Sequence, residues 1–104
     1  MKLYIVGIGP GEAAQMTQRA QTALDCSEVI VGYTAYVDLV RPFFPDKTFL
    51  TTSMRGEVER CEMAVKYALE GRTVALICSG DAGVYGMASP ALEAAQRFLS
   101  WTSR

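Results

Sequence analysis

Apolar positions along the chain switch between two periods. Lys2 to Ile8 is a short run of large and β-branched side chains that ends in glycines, the pattern of a strand buried on both faces, and it is expected at the centre of a sheet. Ala13, Met16, Ala20, Ala23 and Leu24 then recur at helical spacing, with Gln15, Gln18, Arg19 and Gln21 on the other faces, which predicts an amphipathic helix ending near Asp25. Glu28 to Val31 reads as a second strand stopped by Gly32. Tyr33 to Phe44 predicts one or two helical turns before Pro42 and Pro45 break them, and Thr48 to Thr51 a third strand. Val58, Cys61, Val65 and Ala68 form the seam of a helix from Glu57 to Glu70, with Glu62 and Lys66 spaced to pair on its wet side and Gly71 as its stop. Thr73 to Cys78 is a further apolar strand. Ser89 and Pro90 are placed to start a last helix, whose stripe is Ala91, Leu92, Ala95, Phe98 and Leu99. Strand and helix alternate throughout, which predicts βαβ crossovers and an α/β fold with a parallel sheet covered on both faces. No internal repeat, linker or low-complexity stretch interrupts the pattern.

Length and composition set the scale. A chain of 104 residues, half apolar, a fifth charged and with a formal net charge of -1, is expected to be one soluble globular domain without a polyanion-binding surface. Lysine and arginine are dispersed, without a basic run or aromatic-basic interleaving, so nucleic acid is excluded as the expected partner. Only Lys2 precedes the first apolar run, which meets Gly7 too soon for the apolar core of a signal peptide, and no stretch approaches transmembrane length; no membrane association and a cytoplasmic location are expected. Cys26, Cys61 and Cys78 fall inside apolar patterns with no CxxC spacing, and read as small buried thiols with no metal site. Histidine is absent, which removes Ser-His-Asp and Cys-His catalysis and histidine-based zinc sites.

Candidate chemistry lies in two glycine-rich turns that follow strands, Gly7-Ile8-Gly9-Pro10-Gly11 and Ser79-Gly80-Asp81-Ala82-Gly83. Glycine permits close backbone approach to a ligand, and ligands of open α/β sheets gather beyond the carboxyl ends of the strands, so both turns are expected on one edge. Gly11 is followed by Glu12, Ala13 and Ala14, where a phosphate-binding Walker loop requires Lys and Ser or Thr. The G-x-G-x-G spacing also departs from the dinucleotide fingerprint, and the second strand ends in Val31-Gly32-Tyr33 without the acid that would hold a ribose. Glu12 at the start of the following helix disfavours a pyrophosphate, leaving an uncharged or cationic ligand. Asp81 is suited to accept hydrogen bonds from ribose hydroxyls or an amino group, or to lie near a sulfonium, and S-adenosylmethionine carries all three. Val84 and Tyr85 stand where an adenine would need walls. The same residues also suit a plainer reading, in which Asp81 caps its own turn and the glycines only shape two tight βα connections.

Three blocks in order, Tyr4-Ile5-Val6-Gly7-Ile8-Gly9-Pro10-Gly11-Glu12, Gly32-Tyr33-Thr34-Ala35-Tyr36 and Ser79-Gly80-Asp81-Ala82-Gly83-Val84-Tyr85-Gly86-Met87-Ala88, resemble the tetrapyrrole methylase family over residues 1–98. The second and third blocks resemble the members that methylate ring carbon 17 of a precorrin, metal-free or cobalt-loaded, with ring contraction in cobalamin biosynthesis. The resemblance implies a two-domain enzyme, each domain a three-layer αβα sandwich with a mostly parallel sheet, S-adenosylmethionine in the cleft between them, and a homodimer or other self-association. It implies that residues 1–104 correspond to the N-terminal domain, with the second domain and half of the cleft absent. Carried over residue by residue, it makes Pro10, Ser79, Gly80, Asp81 and Val84 the cofactor-binding residues. Tyr33, Tyr36 and Arg55 become the substrate-binding residues, an arginine being suited to the macrocycle's peripheral carboxylates. Tyrosines at a core edge and a solvated loop arginine are the plainer readings of those three. Gly32-Tyr33-Thr34 lacks the aspartate that some relatives place after the second strand, so no general base is assigned. A methylase of another tetrapyrrole step, a nucleotide-binding module and a non-catalytic scaffold remain the alternatives.

Overall fold

The structure is a computed structural model that describes residues 2–8, 17–53 and 55–78. Its elements are β1 (Lys2–Gly7), α1 (Gln18–Cys26), β2 (Val29–Tyr33), α2 (Thr34–Val40), a 3-10 turn (Arg41–Phe43), β3 (Thr48–Thr52), α3 (Glu57–Leu69) and β4 (Thr73–Cys78). The four strands pair in parallel in the order β1-β4-β2-β3. The expected α/β fold with a parallel sheet is therefore present. The last predicted helix, around Ala91 to Leu99, lies outside the described residues.

Alternation along the two inner strands sorts the core into two layers. Val29 and Val31 of β2, with Val74, Leu76 and Cys78 of β4, pack against Cys61, Ala64, Val65 and Ala68 of α3. Ile30, Ala75 and Ile77 point the other way and pack with Ala20 and Leu24 of α1 and Val37 and Val40 of α2. A period of two on strands with helices on both sides is what produces the αβα sandwich.

Five local expectations change. β1 and β3 are at the two edges of the described strands, and the internal positions belong to β4 and β2; Tyr4 on β1 is 39% exposed. The first described helix begins at Gln18, because Thr17 is extended (ψ 158°) and its hydroxyl oxygen accepts from the Ala20 amide at 3.1 Å as the N-cap. Ala13 and Met16 lie outside the described residues. Gly32 does not stop β2, which runs through it to Tyr33. Val58 is 60% exposed; Cys61, Val65 and Ala68 are buried as expected, and Arg60 and Ala64, rather than Val58, complete the buried seam of α3. Cys26 is exposed, whereas Cys61 and Cys78 are buried.

Helix ends follow local chemistry. α3 stops where Gly71 takes φ +94°, and the Gly71 and Arg72 amides close its last turn by donating to the Ala68 and Tyr67 carbonyls at 3.1 and 3.2 Å. α1 ends at Ser27, whose hydroxyl donates to the Ala23 carbonyl at 2.7 Å, and Lys47 Nζ reaches across to the Asp25 carbonyl at 2.6 Å.

Candidate functional site

Parallel pairing brings the carboxyl ends of all four strands to one rim. β1 and β4 are neighbours in register from Lys2 opposite Thr73 to Gly7 opposite Cys78. The Ile8 amide donates to the Cys78 carbonyl at 2.9 Å, and Cys78 Sγ lies 3.5 Å from the Val6 carbonyl oxygen, so the strands stay joined to their last residues. The chain leaves Ile8 and Cys78 side by side, at the starts of the two glycine-rich turns. Pro10, Ser79, Gly80, Asp81 and Val84 lie outside the described residues. The last residues of the two strands, Val6 to Ile8 and Ile77 to Cys78, contain no charged side chain.

The other half of the rim carries the polar groups. Tyr33 ends β2 opposite Thr52, the last residue of β3. Tyr36 stands in the first turn of α2, and the two tyrosine rings meet edge to face, with centroids 5.4 Å apart and planes at 87°. Both are half-buried, which leaves surface for a ligand. Thr34 donates from its hydroxyl to the Thr52 carbonyl at 3.3 Å, tying the start of α2 to the exit of β3. Arg55 is exposed in the turn between β3 and α3. The structure thus brings Tyr33, Tyr36 and Arg55 to the same end of two adjacent strands.

Two residues of this rim are missed by the sequence pattern. Arg60 and Thr52 are buried, and Arg60 Nη1 donates both to Thr52 Oγ1 and to the Ser53 carbonyl, each at 2.8 Å. The available signal is spacing: Arg60, Ala64 and Ala68 lie four apart on one helix face, an arginine in line with two small buried residues. A groove also runs between β1 and α1, lined by Tyr4, Val6, Gly7, Thr17, Ala20 and Cys26 among others; neither Tyr33 nor Arg55 contributes to it.

Comparison with known proteins follows the same lines. The family model for tetrapyrrole (corrin/porphyrin) methylases matches residues 2–99. A probable cobalt-factor III C(17)-methyltransferase of Salmonella typhimurium is 50% identical over 91 residues, covering 88% of this chain and 38% of that protein. The cobalt-factor III methyltransferase of Priestia megaterium is 48% identical over 87 residues, covering 84% of this chain and 16% of that protein. The crystal structure of the methyltransferase CobJ matches with a TM-score of 0.79 at 36% identity, over 92% of this chain and 40% of that one. The chain spans less than half the length of each of these proteins.

Proposed function

The chain belongs to the tetrapyrrole (corrin/porphyrin) methylases, and from that premise we propose that it serves methyl transfer from S-adenosylmethionine to ring carbon 17 of a precorrin-type macrocycle, with ring contraction, in cobalamin biosynthesis. In this reading residues 1–104 are the N-terminal domain of a two-domain enzyme, cytoplasmic and self-associating. The relatives at 50% and 48% identity are both named for cobalt-factor III, which favours the cobalt-loaded macrocycle as substrate.

One observation carries the proposal: β1 and β4 are hydrogen-bonded to their last residues, so both glycine turns leave the same rim. S-adenosylmethionine, when bound, supplies a methyl group already activated on a sulfonium, and the chain's task is to hold and orient it. The backbone at Pro10 and at Ser79 and Gly80 would approach the adenosyl group, Asp81 would accept from its ribose hydroxyls or amino group, and Val84 would wall the adenine. Tyr33, Tyr36 and Arg55, one strand pair away, would face the macrocycle and its carboxylates. A single wall of a cleft neither excludes water nor aligns a bound macrocycle for reaction, so this chain alone is expected to bind the cofactor product weakly and to turn over negligibly.

Isothermal calorimetry tests this reading. S-adenosylhomocysteine is expected to bind with a Kd of about 0.1 mM or weaker, and Asp81→Ala to weaken it about tenfold. Preferential binding of NAD or ATP, or no effect of Asp81→Ala on a binding heat, would contradict it.

A further inference from the structure

Arg60 is the only buried charged side chain among the described residues, 7% exposed. Its place is the first turn of α3, from which it reaches back to the carboxyl end of β3. Only Nη1 is engaged there, with two neutral oxygens, Thr52 Oγ1 and the Ser53 carbonyl. The Thr52 hydroxyl passes its own proton on to the Ser53 carbonyl at 3.2 Å, and the Gly56 amide donates to the same carbonyl at 3.0 Å. Gly56 itself packs so close that an added Cβ would come within 2.9 Å of Thr52 Cβ. The turn from Ser53 to Gly56, which carries Arg55, is thereby pinned to the guanidinium.

A bolt between two oxygens needs donors and no net charge. A glutamine amide would supply the donors without the cost of burying a cation. Among the described residues no carboxylate pairs with Arg60, and Nε and Nη2 make no hydrogen bond. Among the described residues no fully buried side-chain nitrogen or oxygen is left without a partner, so these two nitrogens are not completely sealed from the surface. The Nε and Nη2 edge of a guanidinium is a fork that matches a carboxylate with two parallel hydrogen bonds.

We propose that Arg60, in the first turn of α3, together with Arg55, in the turn that leads into that helix, forms a carboxylate-binding site at the carboxyl end of β3 that receives an acidic side group of the tetrapyrrole. This rests on reading the rim as the macrocycle's site. Nη1 holds the turn, the other edge of the same guanidinium takes the carboxylate, and the largely buried position lessens the competition of water that weakens an exposed arginine.

The test is a fluorescence titration of the chain with uroporphyrin, an octacarboxylate tetrapyrrole, compared with a tetracationic porphyrin. Uroporphyrin is expected to bind, more weakly as salt rises, and the tetracationic ring not to bind. Arg60→Gln, which keeps donors and removes the charge, is expected to weaken uroporphyrin about tenfold while leaving S-adenosylhomocysteine affinity unchanged. Arg60→Lys, with the charge but without the fork, is expected to fall between the two. Wild-type affinity for uroporphyrin in a folded Arg60→Gln or Arg60→Lys chain would overturn the proposal, as would equal binding of the cationic ring or no uroporphyrin binding by the parent chain. If Arg60→Gln fails to fold, Arg60→Lys decides: selective weakening of uroporphyrin supports the site, and parallel loss of S-adenosylhomocysteine overturns it. A parent chain that binds uroporphyrin through Arg60 and ignores S-adenosylhomocysteine would contradict the methylase reading while leaving the anion site standing.

Discussion

Replacing Gly32 with valine is expected to destabilise the fold by about 3 kcal/mol, the upper part of the range for overpacking a filled core. A Cβ at this position would fall on Ile77 Cγ1, 2.9 Å from Ile77 Cδ1 and 3.3 Å from Val37 Cγ2. All three atoms belong to the layer between the sheet and α1 and α2. Gly32→Ala meets the same atoms with one carbon and is expected to cost about 1–3 kcal/mol. Pairing it with Ile77→Val, which removes Cδ1, should recover part of the loss, because residues in contact do not add independently. Thermal unfolding followed by far-UV circular dichroism reads the series; each kcal/mol corresponds to a fall in Tm of about 4–8 °C for a domain of this size. The functional stake is α2. Only a glycine lets Val37 approach β2 this closely, and that approach sets Tyr36 against Tyr33 on the rim.

Leu76→Ala is expected to remove about 2–5 kcal/mol, a large share of the roughly 5–15 kcal/mol that holds a domain of this kind together. Leu76 is fully buried on β4, paired with β1 on one side and β2 on the other, and packs into the layer under α3. The cavity would be bounded by strands on both flanks and a helix above, so little collapse is available to refill it. Val58→Ala is the matched control on α3: with its side chain 60% exposed, the change is expected to stay within about 0.5 kcal/mol. Denaturant titration of both variants tests the placement of the α3 seam, since a seam that included Val58 would make the second change costly as well.

The inner strands are legible because their apolar runs are short, β-branched and bounded by turn residues; β4 is expected at Thr73 to Cys78 and forms there. The order of the strands is less legible. Hydrophobicity records that β1 is apolar on both faces, while its neighbours are set by crossovers that no local pattern encodes, so an expected central strand is found at one edge of the described four. Gly32 misleads for a related reason: a glycine after a strand reads as a stop, yet here it marks close packing between β2, Ile77 and Val37. The helix spacing from Ala13 to Leu24 crosses Thr17 without a break in period, and only its extended backbone and hydroxyl acceptor show where α1 starts. At the rim, Tyr33, Tyr36 and Arg55 stand together at the ends of β2 and β3, as parallel pairing requires. Arg60 escapes notice because a charge in a helix reads as solvated face, and its burial depends on Thr52 and Ser53 arriving from another element.

The central claim is that ligand binding happens at the carboxyl rim where β1 and β4 end together. An amide correlation spectrum of the isotope-labelled chain, titrated with S-adenosylhomocysteine, tests it most directly. The largest shifts are predicted at Gly7, Ile8, Ile77 and Cys78, with Lys2, Glu28 and Thr73 at the opposite end unmoved. Shifts centred on Lys2, Glu28 and Thr73, with Gly7 and Cys78 unmoved, would contradict the claim.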